Sequence, residues 1–378
     1  MGFKKSIQHS QLAVAFNYNE ELPYGVNVLF DLDDELNDST LLYKEHWGVF
    51  DIIKSTSQFK NEKFERLALM GGYKKKREAL YLKDNNQPLV IVGNTSINGN
   101  AFLGEMGVKT GTIAGYSYYG IQLIGGEILK SSNQLPELAN KEHLLKLNTS
   151  YLEPSEFTFS VFNAGIDITN SFKNTTQVLY GGEELIVTDE KLVGNLIMTA
   201  DSLIVVQRNA QLEDVILVAP KIEIQSGFEG ILQLFATKSI TVQNDCLLNY
   251  PSALVINPDI KVSEVEKSEK KEQILIGAKS IIKGTICFFS EEEILSNEAN
   301  ILIEEGSRII GEVYCEQNIE LRGEIIGSVY TKGFVSNQFG GSYQNHIYNG
   351  RIDALILPLK YAGLSFKGEQ NRVAKWLY

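Results

Sequence analysis

Histidine, cysteine and proline are all scarce in this chain of 378 residues, which has 4 His, 3 Cys and 8 Pro. The histidines are far apart along the chain: His9, His46, His143 and His346. They form no HxH or HExxH spacing, and no GxSxG elbow, P-loop or GxGxxG turn is present. The sequence therefore predicts no metal, no cofactor and no catalytic centre.

The small number of cysteines excludes a complete disulfide framework. Cys246, Cys287 and Cys315 lie in or beside apolar runs, without a CxxC spacing, and an odd number cannot all pair. Free thiols in such runs are usually buried and behave as small apolar side chains. We therefore expect three buried free cysteines.

Positive charge is also in short supply, with 35 basic against 47 acidic residues and a net charge of −12. Such a chain repels phosphate backbones, so nucleic acid is not an expected partner. The one basic cluster, 74–77 (Lys-Lys-Lys-Arg), is expected to be a solvated turn. The acidic run 31–35 lacks the glycine of a calcium-binding loop and is expected to be a solvated helix end.

Long apolar runs are absent as well, since no stretch of 18 apolar residues occurs. The opening Met1-Gly2 matches the bare myristoylation pattern. We interpret it instead as an added start that replaces a preceding hydrophobic anchor.

What the sequence does contain is a short repeat. Gly311-Glu312-Val313-Tyr314 returns sixteen residues later as Gly327-Ser328-Val329-Tyr330. Three further segments, 198–205, 217–224 and 235–242, superimpose at steps of 17 to 19, and 315–321 fits the same template. The alignment predicts two apolar columns: Leu203, Ile222, Ile240 and Ile319 in the first, and Val205, Ile224, Val242 and Leu321 in the second.

A step of this length is too short for a helical repeat unit and fits one turn of a parallel β-helix. Successive turns stack at about 4.8 Å, so the same slot holds like residues, and the inward columns form a continuous core. The predicted fold class is therefore mainly β. It is a parallel, right-handed β-helix with a small N-terminal α+β head, one inserted segment and a C-terminal capping wrap.

Changes of pattern along the chain predict the domain boundaries. Residues 1–78 are expected to form a helix-plus-hairpin head that shields one end of the coil. A helix is expected at 6–16, apolar residues have helical spacing over 24–36, and the hairpin consists of 47–53 and 64–70 with a polar separator at 55–63. Residues 79–130 are expected to form the first turns of the coil. Residues 131–180 are expected to be an insertion with a helix between Pro136 and Leu147. The main coil is then 181–337, with surface loops at 258–273 and 289–300, and 338–378 closes the other end.

Two known classes of coil enzyme do not fit the repeat. Left-handed hexapeptide acyltransferases need a period of six, which a step of 16 does not satisfy. Polysaccharide lyases need a column of acidic calcium ligands. The corresponding slots hold Asp201, Pro220, Lys238 and Asn318. We predict no enzyme activity, with a carbohydrate-active β-helix enzyme as the alternative.

One aromatic cluster is a candidate interaction surface. Tyr116, Tyr118 and Tyr119 stand together in GYSYYG, and exposed aromatic rings are typical of sugar-stacking sites. The competing interpretation is that these rings pack between the coil and the 131–180 insertion.

Two resemblances extend this picture. The doubled segment within 274–335 resembles bactofilins, the polymer-forming cytoskeletal β-helix proteins of bacteria. Over nearly the whole chain, the sequence resembles an uncharacterised family of membrane-anchored β-helix proteins from Bacteroidota. The segments that carry this second resemblance are 47–50, 79–103, 115–124, 235–240, 248–256, 311–315, 344–350 and 375–378. Members of that family begin with one hydrophobic helix, in the style of pilin-like proteins.

These resemblances imply an anchored, non-catalytic scaffold on the periplasmic side of the inner membrane, in a pilus-like or secretion apparatus. The expected partners are envelope assembly proteins, or further copies joined through the coil ends. The alternatives are a polysaccharide-binding module of the cell envelope and a bactofilin-like polymer. The alternative location is the cytoplasm.

Overall fold

The computed structural model describes residues 22–30, 39–59, 61–150, 158–258, 272–290 and 297–377. In chain order the elements are β1 (Val28–Phe30), β2 (Ser39–Trp47), β3 (Phe50–Phe59), β4 (Glu62–Tyr73), β5 (Glu78–Leu82), β6 (Leu89–Val92), β7 (Ser96–Asn98), β8 (Asn100–Leu103), β9 (Val108–Thr110), β10 (Thr112–Ile113), β11 (Tyr116–Ser117), β12 (Ile128–Lys130), α1 (Lys141–Ser150), β13 (Thr158–Val161), β14 (Ile168–Asn170), β15 (Gln177–Tyr180), β16 (Glu184–Val187), β17 (Lys191–Gly194), β18 (Leu196–Thr199), β19 (Leu203–Val206), β20 (Gln211–Val218), β21 (Lys221–Ile224), β22 (Glu229–Ala236), β23 (Ser239–Val242), β24 (Leu247–Ile256), β25 (Gln273–Ile276), β26 (Ile281–Phe288), β27 (Ile301–Ile303), β28 (Arg308–Leu321), β29 (Glu324–Gln338), β30 (Gly341–Gln344), β31 (His346–Tyr348), β32 (Arg351–Asp353) and β33 (Gln370–Leu377).

A five-stranded antiparallel sheet, here called the head sheet, contains strands from both ends of the described chain. Its order is β1-β2-β3-β4-β33. The sequence predicted a two-stranded hairpin with a polar separator at 55–63. Most of that stretch is instead strand, because its small hydroxyls fit the sheet: Ser57 lies 2.8 Å from the Thr40 hydroxyl. The helical spacing expected over 24–36 is wrong at β1, and the helix expected at 6–16 lies outside the described residues.

Most of the remaining strands form a large parallel sheet, here called the coil, in which each turn pairs with the next. Strands β10 and β11 form a separate antiparallel pair, and β31, β6 and β9 form a separate three-stranded sheet. Such pairing is compatible with the predicted β-helix, whose handedness remains a prediction. Ile222 pairs with Ile240, Ile240 with Ile274 and, two turns further on, Ile301 with Ile319. Three buried free thiols are present in the coil, which confirms the expectation for the cysteines.

The inward columns differ from the sequence alignment at one turn. Ile204, not Leu203, pairs with Ile222, and Val206, not Val205, pairs with Ile224. Ile204 is fully buried, whereas Leu203 pairs laterally with Lys221 and is half-buried. Placing Leu203 and Val205 in the columns was therefore wrong by one residue. Since every residue of 203–206 is apolar, that strand lacks the alternation that would have indicated its register.

This register predicts unequal effects of two matched substitutions. Ile204→Val is expected to lower the free energy of unfolding by about 1 kcal/mol, because it removes a methylene from a closed core. Leu203→Val, on the outer side of the same strand, is expected to change it by less than about 0.5 kcal/mol. Urea unfolding midpoints measure both changes, and a larger loss for Leu203→Val would refute the register.

Along one side of the coil, the sheet is buried on both of its faces, which explains the uninterrupted apolar strands there. In β20, Leu217 points into the coil core, while Ile216 and Val218 belong to a second core. The second core also contains Trp47 and Phe50 of the head sheet. The head sheet therefore covers a side of the coil rather than shielding an end, contrary to the expectation.

Gln233 of β22 links the coil to the head sheet on this side of the coil. Its Oε1 accepts a hydrogen bond from the Val49 N–H at 2.8 Å, and its Nε2 donates to the Trp47 carbonyl at 3.2 Å. Helix α1 begins later than the sequence predicted and buries Leu144 and Leu147 in the same second core. Among the described residues, no helix has the length and apolar character needed to cross a membrane.

The order of the turns in space differs from their order in the chain. Strand β29 pairs with β5, β5 with β8, and β8 with β12. The turns within 78–130 therefore continue the coil beyond β29, although they come first in the sequence. The C-terminal segment does not simply close an end: β32 pairs with β29 and β7 inside the stack, and β33 joins the head sheet.

Candidate functional site

Three aromatic rings meet where the turn between β29 and β30 lies beside β11 and β31, and they are here called the aromatic trio. Tyr116 stacks on Phe339 with ring centroids 5.6 Å apart and planes at 16°. Tyr348 meets Tyr116 at 6.2 Å and Phe339 at 5.9 Å, in edge-on geometry. Tyr116 is 45% exposed and Phe339 59% exposed, so both keep much of their ring surface in solvent.

Of the three tyrosines singled out in the sequence, only Tyr116 belongs to this trio. The Tyr118 hydroxyl donates to the Gln122 carbonyl at 2.6 Å, and its ring packs against the coil core. Burial raises the pKa of Tyr118. Tyr119 is 61% exposed and lies outside the trio. Tyr116 packs against the C-terminal part of the chain, whereas the competing interpretation placed it against the 131–180 insertion.

Phe339 occupies an unfavourable backbone position. Gln338 pairs with Gly341, so the turn between β29 and β30 has two residues, Phe339 and Gly340, with φ of +53° and +78°. Positive φ at both positions is typical of a type I′ turn, where Asn-Gly is preferred. A bulky side chain in this region costs about 1–3 kcal/mol, and such strain is concentrated at functional sites.

A polar groove with a volume of about 490 Å³ adjoins the trio, and Tyr348 lines both. Amides from Asn94, Gln338 and Asn349 face it. Its charged lining consists of equal numbers of arginines and glutamates: Arg308, Arg322, Arg351, Glu304, Glu305 and Glu324. All of its residues except Asn94 come from 304–351, and Arg308, Glu324 and Arg351 pair laterally in successive turns.

Most of these charges neutralise one another. The Arg308 Nε lies 2.7 Å from the Glu324 Oε2. Arg322 binds Glu304 at 3.1 Å and Glu320 at 2.7 Å. Within the part of the chain that the structure describes, Arg351 and Glu305 form no ion pair. The groove is therefore balanced in charge and rich in both donors and acceptors.

A second polar cluster is buried under residues 361–366. The Glu312 Oε2 accepts a hydrogen bond from the Leu364 N–H at 2.7 Å, and the Tyr361 hydroxyl donates to the Gly284 carbonyl at 2.9 Å. Arg77 donates to the Tyr361 carbonyl at 2.6 Å. Burial raises the pKa of Glu312 to about 7.

The basic cluster 74–77 contributes to this buried site, so its interpretation as a solvated turn was wrong for two of its four residues. The Lys74 side chain is 11% exposed and binds Glu78 at 2.8 Å. The Arg77 side chain is 7% exposed and lies 4.0 Å from Glu312. Acidic partners brought close by the fold make this burial possible, and one of them is 235 positions away in the sequence.

Two histidines that are far apart in the sequence stack on one another. The rings of His46 and His143 have centroids 3.7 Å apart. Asp51 accepts from His46 at 2.8 Å and lies 3.2 Å from the Lys44 Nζ. Burial lowers the pKa of His143 to about 4, with the His46 charge acting in the same direction. Across the described ranges, no group of three or more metal-ligating side chains occurs.

Comparison with known proteins yields little. No protein-family model matches the chain, and no curated protein matches it. Among solved structures, the chain is similar to the competence-associated pilin ComZ from Thermus thermophilus, with 10% identity and a TM-score of 0.20. That alignment covers 99% of this chain and 95% of the pilin. A similarity at this level assigns neither a fold nor a function.

Proposed function

We propose that the protein is a non-catalytic structural component, an anchored extracytoplasmic scaffold in a pilus-like or secretion apparatus. In this proposal the head sheet, which packs along one side of the coil, is the attachment face, and the coil is the projecting body. The observation that carries it is topological: the coil is inserted between β4 and β33 of the head sheet.

The insertion supports a scaffold role because it makes the projecting body rigid relative to its base. Strands β4 and β33 pair from Tyr73–Gln370 to Leu67–Leu377, so the coil leaves and re-enters the head sheet at neighbouring positions. The second core and Gln233 then fix the coil laterally. Force applied to such a body passes to the head sheet through two covalent connections and a packed interface.

The ends of the coil offer contact points for protein partners, further copies included. Among the described strands, β12 pairs only with β8 and β13 only with β15, which leaves one edge of each unpaired. Ile128, Phe159 and Val161 on these strands are 54%, 43% and 68% exposed. Unpaired edges with exposed apolar side chains are typical sites of strand addition.

Site-specific photocrosslinking in the native cell tests this function. A photoreactive amino acid at Leu29 of β1, the outermost described strand of the head sheet, or at Val161, is expected to yield crosslinks to envelope assembly proteins or to further copies. The same amino acid at Leu355, which is 70% exposed on a loop, serves as the control. Equal labelling at all three positions, or substrate turnover abolished by one point change, would count against the scaffold.

A second candidate function is recognition of a cell-envelope polysaccharide. It is favoured by the exposed rings of Tyr116 and Phe339, which fill neither core. Tyr348, the third member of the trio, is partly buried against a small apolar cluster of Val90, Val92 and Ile113. The two functions are compatible, since a projecting body can also carry a binding surface.

A further inference from the structure

We infer that the aromatic trio and the adjoining groove form one binding site for a neutral oligosaccharide segment. The inference rests on the second candidate function, and it names the class of ligand and the residues that bind it. It replaces the surface expected from Tyr116, Tyr118 and Tyr119 with one built from Tyr116, Phe339 and Tyr348.

The trio provides a stacking platform. A pyranose ring has an apolar face of C–H groups, which packs against an exposed aromatic ring while its hydroxyls remain free at the rim. The rings of Tyr116 and Phe339 are nearly parallel and partly exposed, and Tyr348 continues the surface into the groove. One sugar unit can therefore stack on the aromatic trio while the next unit makes hydrogen bonds in the groove.

The strained turn supports a role for Phe339 beyond packing. Phe339 is buried in neither core and stands where asparagine is favoured. Asparagine would relieve the backbone strain and leave the hairpin pairing intact. A residue that is costly to keep, and whose ring faces solvent, is explained by a ligand that stacks on it.

The charge balance of the groove favours an uncharged ligand. Sugar hydroxyls both donate and accept, and the groove offers arginine and amide donors beside glutamate and amide acceptors. Arg308 and Arg322 are already neutralised by glutamates. An acidic saccharide would face Glu305 and find only Arg351 without an acidic partner among the described residues, so the groove gives anions no net attraction.

The test is titration calorimetry with two panels of hexasaccharides, one of neutral hexoses and one of uronic acids. A neutral hexasaccharide is expected to bind, and Phe339→Asn is expected to weaken it about tenfold or more, because the stacking ring is lost. The urea midpoint of Phe339→Asn should equal or exceed that of the wild type. Tyr116→Ala provides an independent removal of the platform, and Tyr119→Ala is the matched control that should leave affinity unchanged.

The outcomes separate the inference from the function on which it rests. Tighter binding of the acidic panel would overturn the ligand class while leaving polysaccharide recognition in place. Affinity unchanged in both Phe339→Asn and Tyr116→Ala would overturn the site. Absence of binding to both panels at millimolar concentration would overturn the second candidate function itself.

Discussion

Gly311→Ala is expected to lower the free energy of unfolding by about 3 kcal/mol or more, and to leave part of the protein unfolded under native conditions. Gly284, Gly311 and Gly327 pair with one another in consecutive turns. Their φ values of +150°, +151° and +145° lie in a region that favours glycine. A Cβ on Gly311 would lie 1.8 Å from the Gly284 carbonyl oxygen. Since the obstacle is backbone, no side-chain rotation can relieve the clash.

This close approach accounts for the repeated Gly-x-Val-x motif. These three turns need glycine in the same slot because the carbonyl of the previous turn, which is that of Ser252 for Gly284, occupies the space of a side chain. Gly368→Ala is the matched control, since Gly368 also has a positive φ, of +79°, but a Cβ added there would meet nothing within 4 Å. Its expected cost is about 1 kcal/mol. Urea unfolding compares the two, and similar midpoints would show that the turns can move apart.

Glu312→Gln is expected to stabilise the protein above pH 7 by about 3 kcal/mol and to have little effect at pH 4. The ordinary pKa of the carboxyl is 4.5, and burial raises it to about 7 in the folded protein, although the Leu364 hydrogen bond and the Arg77 charge oppose the rise. Each pKa unit corresponds to about 1.4 kcal/mol. Glutamine resembles the protonated acid and keeps an acceptor for the Leu364 N–H.

The direction in which stability changes with pH follows from whether the folded or the unfolded protein holds the proton. Between pH 4.5 and about 7, the folded protein keeps a proton on Glu312 that the unfolded chain has lost. Raising the pH across this window therefore lowers stability, and the full loss is present above it. His143 acts in the opposite direction: its pKa falls from 6.5 to about 4 on folding, so stability rises with pH between those values.

The difference between variant and wild type isolates Glu312, because His143 contributes equally to both proteins. Unfolding free energies from urea titrations between pH 4 and 8 should therefore diverge as pH rises. The ion pair of Arg77 with Glu312 suggests the opposite effect, in which the ionised Glu312 carboxylate stabilises the folded protein. The separation of 4.0 Å is at the limit for such a pair, and the Arg77 Nε makes no hydrogen bond to the described residues. A Glu312→Gln protein that is less stable at pH 8 than the wild type would show that the ion pair dominates.

The stacked arrangement of like residues was predictable from the sequence, because each turn imposes the same environment on the next. Ile222, Ile240 and Ile319 recur in strands where apolar and polar residues alternate, and that alternation indicates which side faces inward. Leu203 lies in an all-apolar strand, so the sequence did not indicate whether its side chain faces inward or outward. In the C-terminal half of β20 the alternation is also missing, and there the cause is burial of the strand on both faces by the two cores.

The order of the turns was not predictable, because stacking uses backbone hydrogen bonds that any strand can make. Nothing in the side chains of β5 indicates that β29, about 250 residues later, is its neighbour. For the same reason, the burial of Arg77 was missed, since its partners Glu312 and Tyr361 are local to it only in the fold.

The candidate binding surface was only partly predictable. Tyr116 stood out because it belongs to a local aromatic cluster. Phe339 and Tyr348 are single aromatic residues in an irregular C-terminal stretch, and three-dimensional proximity alone joins them to Tyr116. A phenylalanine directly before glycine between two strand-like runs is the one signal that could have drawn attention to Phe339.

The pairing of early and late strands has a consequence for biosynthesis. While the ribosome is still making the protein, β4 lacks its neighbour β33, and β5 lacks its neighbour β29. The apolar edges of β4 and β5 therefore stay without these partners until the segments of β29 and β33 have been synthesised. Emergence of β33, rather than of any earlier strand, therefore permits the complete head sheet to form.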